Sequence, residues 1–166
     1  MFTKPTPEIE AEVLAEYDAD YAGFCERVFE GMERTNPGMA ELFWHILQMA
    51  KQENNDDYIL GLQMASAVYR QLEMSAGGSL PIVEMKPALL KAGLEVLLGS
   101  REFVNQYGTT YFYDGLIRTK TLSHFLGDAL GHGADYQTMV FVAVFVIRVL
   151  EGQIELDLGT SKEKVF

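Results

Sequence analysis

The chain has 166 residues, 48% of them hydrophobic and 11% aromatic, and a net charge of −11. Its length suits one domain, which at this size buries about 70% of the surface its unfolded form exposes, and so apolar a composition excludes intrinsic disorder. The charge repels phosphate backbones and anionic lipid surfaces, which argues against direct nucleic-acid or membrane binding; a basic protein partner is permitted, although solubility is the plainer use of such a charge.

Cys25 is the only cysteine, so no intramolecular disulfide forms, which fits a reducing compartment. The first seven residues lack the apolar core and cleavage pattern of a signal peptide. The longest apolar run, 139–150, is interrupted by Arg148 and is shorter than the roughly 20 residues a membrane span needs. A cytoplasmic location is therefore expected.

In chain order, Thr6 is placed to cap, Pro7 suits a first helical position, and Glu8, Glu10 and Glu12 suit the positive start of a helix. Ile9, Val13, Tyr17, Phe24, Val28 and Met32 recur at steps of four or seven, which predicts one long helix over 7–34. Asn36-Pro37-Gly38 breaks the chain and restarts it, with Asn36 as cap. Met39, Phe43, Ile46, Leu47 and Ala50 form the next stripe. After the polar break 54–57, a third helix is predicted over 56–76, apolar nearly all round and so central. Gly77-Gly78-Ser79-Leu80-Pro81 reads as its terminator rather than a phosphate loop, since no Gly-Lys-Ser/Thr follows. A fourth helix is expected from Pro87 through Leu89, Leu90, Leu94, Leu97 and Leu98.

In the last third, Asp114-Gly115 between β-forming residues predicts a hairpin over 109–119. A short helix follows over 122–130. The run 139–150 suits a buried helix or a buried strand, and its length favours helix. Ile154, Leu156 and Leu158 alternate with charged residues, which suggests a short extended tail. The expected fold is mainly α: a single-domain helical bundle over 1–166, with loose ends at 1–6 and 159–166 and a small hairpin at 109–119.

Several groups could carry chemistry. His124, Asp128 and His132 are spaced by four, on one face of a helix, and are a sensible set for zinc or iron. Yet positions eight apart are about 12 Å apart on a straight helix, so all three cannot grip one ion. A His-Glu-x-x-His motif is absent, and local pairing of His124 is the plainer reading. No cofactor is therefore expected. Cys25 lacks an activating neighbour in sequence, and Asp56-Asp57 reads as a helix start.

The acidic first segment is the other candidate. Residues 8–34 hold nine carboxylates against Arg27 and Arg34, a net −7. Their plain role is the solvated side of an amphipathic helix. Their functional role would be a docking face for a basic protein, with Glu12, Glu16 and Asp20 as contacts and Tyr111 and Tyr113 as aromatic ones. Met32, Met39, Met49, Met64 and Met74 suit core stripes more than an adaptable surface. Of three readings, a non-enzymatic interaction module is preferred, including one that inhibits a nucleic-acid-binding protein through its basic groove. A small metal-dependent or ligand-binding enzyme using His124, Asp128 and His132 is second. A homo-oligomeric structural protein is third, with 139–150 as its interface.

Overall fold

The computed structural model describes residues 2–78, 80–83 and 109–151. Among these it contains seven helices and no strand: α1 (Pro7–Ala19), α2 (Tyr21–Thr35), α3 (Pro37–Glu53), α4 (Asp56–Ser75), α5 (Thr109–Asp114), α6 (Thr119–Gly131) and α7 (Tyr136–Leu150). The helix expected from Pro87, the extended tail at 154–158 and the loose end at 159–166 lie outside the described residues.

The single long helix expected over 7–34 is instead two. Thr6 caps α1 by accepting a hydrogen bond from the Ile9 amide at 3.2 Å, as expected. Asp20 then turns extended, and its carboxylate accepts from the Gly23 amide at 3.1 Å, capping α2. Glycine at position 23 leaves room for this cap, since a Cβ there would lie 2.0 Å from the Asp20 carboxylate as it stands. A capping acid followed three residues later by glycine thus breaks a stripe whose apolar period runs on unbroken. Asn36 differs in a similar way. Its side chain makes no cap bond to α3. Buried, it donates to the Pro81 carbonyl at 2.8 Å and accepts from the Val83 amide at 2.9 Å, tying the segment after α4 to the start of α3.

The hairpin expected over 109–119 is replaced by α5 and a turn into α6. The Asp-Gly pair ends a helix here. Gly115 is left-handed at φ 79°, its amide donates to the Phe112 carbonyl and the Leu116 amide donates to the Tyr111 carbonyl. That paired closure is a Schellman end, and Leu116 and Tyr111 are buried beside it. A positive-φ glycine serves this end as well as it serves a hairpin turn, and burial of Tyr111, Leu116 and Ile117 decides between them.

The core is shared by all the helices except the outer faces of α1, α2 and α3. As expected, α4 lies centrally, burying Leu60, Met64, Val68 and Leu72. The run at 139–150 belongs to helix α7, and Phe141 through Ile147 are buried without a break. That run is consequently not the exposed interface a homo-oligomer would need. Each fully buried Phe, Leu or Met contributes about 1.5–3 kcal/mol, and Phe125, Phe145, Met64 and Leu72 are all of this kind. Tyr17 joins α1, α2 and α6, with its ring 4.9 Å from Phe125 and edge-on to Phe24 at 5.9 Å.

One buried polar group organises the start of α6. Arg118 supplies that helix with no side-chain cap. Glu10 of α1 does so instead, accepting from the Thr121 amide at 2.8 Å and hydroxyl at 2.6 Å through one oxygen and from Arg118 Nε at 3.2 Å through the other. Gln71 of α4 donates to the same Thr121 hydroxyl at 3.0 Å, and Arg118 also donates to the Pro5 carbonyl.

Candidate functional site

The carboxylates of the first segment are exposed, with one exception. Glu12, Glu16 and Asp20 face solvent, as do Glu8, Asp18, Glu26, Glu30 and Glu33. Glu10 is the exception, 3% exposed and committed to Arg118 and Thr121. On α1, Glu8, Glu12 and Glu16 stand at i, i+4 spacing, so they form one row that ends near Asp20.

The two tyrosines part company. Tyr113 is 82% exposed and available, whereas Tyr111 is 4% exposed. The Tyr111 hydroxyl donates to Glu151, and burial first, then that hydrogen bond, push its pKa upward. Tyr111 is a core residue and is withdrawn as a contact.

His124, Asp128 and His132 do not converge either. The ring of His124 packs edge-on to Tyr17 and Phe125. Its Nε2 lies 2.8 Å from Asp18 of α1, an ion-pair distance without hydrogen-bond alignment. His132 falls just past the end of α6, where its Nδ1 donates to the Asp128 backbone carbonyl at 2.8 Å. Among the described residues no group of three His, Cys, Asp or Glu side chains is placed to hold a metal ion. Cys25 is half-buried, and burial pushes its thiol pKa upward, away from the thiolate a nucleophile needs.

What the fold does assemble is a cleft. The turns α1–α2, α3–α4 and α6–α7 lie at one end of the bundle and enclose about 760 Å³. Glu53, Asp56, Asp57 and Asp128 contribute carboxylates to its lining, together with Tyr21, Gln63 and His132 and, among the described residues, no lysine or arginine. Tyr21 follows Asp20 directly, so the cleft adjoins the acidic row of α1. Nearby hydroxyls register the charge. Burial chiefly, then the charge of Asp128, raises the Tyr17 pKa, and burial, then Glu53, raises that of Tyr58.

Helix capping accounts for part of this cluster. Of its four carboxylates, Asp56 and Asp57 occupy the first turn of α4, the favourable end for an acid. It does not account for Glu53, the last residue of α3, or Asp128, in the last turn of α6. There the carboxylate faces the negative end of the helix dipole, an unfavourable place. Sequence reasoning missed Glu53 and Tyr21, and the legible signal was an acid where a helix ending favours a base.

No protein-family model, no curated protein and no solved structure matches the chain.

Proposed function

We propose that this protein is a non-enzymatic docking module that binds a basic protein partner through the acidic row of α1 and the adjoining turn-end cleft. The observation that carries the reading is the pair Glu53 and Asp128, two carboxylates held at helix C-terminal ends around a cleft in which, among the described residues, His132 is the only basic side chain. A lysine or arginine side chain entering there would meet these carboxylates and complement the dipoles of α3 and α6. Glu12, Glu16 and Asp20 then steer the partner on approach, and Tyr113 adds an exposed aromatic contact. One concrete form of the activity is inhibition of a nucleic-acid-binding protein by occupying its basic groove. The lone Cys25 suits a reducing compartment, and we place the protein in the cytoplasm on that ground.

The test is binding of a labelled lysine- and arginine-rich peptide, followed by anisotropy at low salt. The wild-type affinity should fall steeply with added salt. The variant E53Q/D56N/D57N/D128N should bind at least about tenfold more weakly, because close interfacial charges couple by more than about 1.4 kcal/mol. The reversal E12K/E16K/D20K should mainly slow association. Equal affinity in the wild type and the cleft variant would end the proposal.

A further inference from the structure

A second concavity lies away from the turn-end cleft. It is a groove of about 400 Å³ between α2 and α3, lined by Phe29 and Glu33 of the one and Pro37, Ala40, Glu41 and Trp44 of the other. The α3 residues stand at i, i+3, i+4 and i+7, a single face of that helix, and the α2 pair at i, i+4. The opposite side of α3 is sunk in the core through Met39, Leu42, Phe43 and Ile46. Trp44 is the only tryptophan of the chain, and it is 49% exposed in this groove. It meets His45 at 5.1 Å with the two rings inclined at 78°, so the imidazole does not stack flat on the indole. Among the described residues, both charged groups in the lining are carboxylates.

An aromatic face flanked by two acids is complementary to one chemical group above others: a planar cation. A guanidinium stacks on indole through its π system and pairs with carboxylates through its fixed fork of donors. We infer that Trp44 is the anchor for an arginine side chain of the basic partner, which lies against the indole and pairs with Glu33 and Glu41. This rests on the docking reading above and adds to it a second contact point and a preference for arginine over lysine.

The experiment uses the full chain and two probes, nona-arginine and nona-lysine peptides, at low salt. Because Trp44 is the sole indole, its emission reports the groove directly. Nona-arginine should change that emission saturably, and nona-lysine should change it less. In anisotropy with labelled nona-arginine, W44L and E33Q/E41Q should each bind about two- to fivefold more weakly, the size of an exposed cation–π contact. Thermal melting of both variants should match the wild type, and E33Q/E41Q keeps the ring in place should W44L fold poorly. Binding of nona-arginine with unchanged Trp44 emission, or with undiminished affinity in E33Q/E41Q, would overturn the anchor and leave the docking reading standing. No binding of either peptide to the wild type would remove both.

Discussion

The two ends of α6 hold carboxylates in opposite circumstances. At its start Glu10, reaching across from α1, commits both oxygens to Arg118 and to the Thr121 amide and hydroxyl. At its finish Asp128 stands over the negative end of the same helix, in a cleft that Glu53, Asp56, Asp57 and His132 also line and that holds no lysine or arginine among the described residues. The first arrangement is what stability asks of a buried charge: a counter-ion, further hydrogen bonds and the favourable end of a dipole. Asp128, half-exposed in the last turn of α6, has neither a counter-ion nor the favourable end of the dipole, so these stabilising contacts do not explain its place. The contrast separates an acid that builds the fold from acids that the fold presents.

The largest expected effect falls on the building side. Glu10→Ala leaves the Thr121 amide and hydroxyl short of an acceptor and Arg118 short of its counter-ion. Urea unfolding at pH 7 should then report a loss of about 3 kcal/mol or more, the usual consequence of breaking a buried ion pair. Hydrogen exchange should quicken first in the opening turn of α6. A loss under about 1 kcal/mol would mean that Glu10 is no more structural than the cleft acids, and the comparison would fail.

A second test reads the same contrast through tyrosines. Tyr17 lies near Asp128, and Tyr111 lies near Glu151 and Arg148. Burial is the main cause of the raised pKa at both. In the unfolded chain a tyrosine ionises near about pH 10, whereas these two remain protonated in the native state. Above that pH the unfolded state binds fewer protons, so stability should fall as pH rises and be fully present below it. Tyr17→Phe and Tyr111→Phe should each flatten the alkaline limb. Asp128→Asn should lower the Tyr17 pKa and leave that of Tyr111 unmoved, as followed by ultraviolet titration. Equal shifts at both tyrosines would show that the charge of Asp128 does not act locally.

Much of the architecture was legible in the sequence, and the cleft was not. α4 and α7 were predictable because long apolar runs admit few alternatives once length is weighed, and α3 because Pro37 and the 54–57 break bracket it. The division at Asp20 was hidden because its two uses, solvated acid and helix cap, look alike in sequence. The 109–119 segment was misread because Asp-Gly suits a hairpin turn and a helix end equally, and only burial of Tyr111 against the core chooses. The cleft draws on turns as far apart as residues 53 and 128, and no periodicity links them. The partner of His124 was hidden for the same reason: Asp18 comes from another helix.

The smallest expected effect bears most directly on function. Asp128→Asn removes a negative charge from the last turn of α6 without removing side-chain volume, and the backbone carbonyl that accepts from His132 is untouched. If Asp128 is presented rather than built in, its neutralisation should stabilise the protein by about 0.3–1 kcal/mol, the range of a charge–dipole interaction at a helix end. The same change should weaken binding of a basic peptide. A variant more stable and less able to bind is the signature of a residue held in place for a ligand. A destabilised Asp128→Asn would instead give the carboxylate a structural task, and the cleft would then be an accident of three turns meeting.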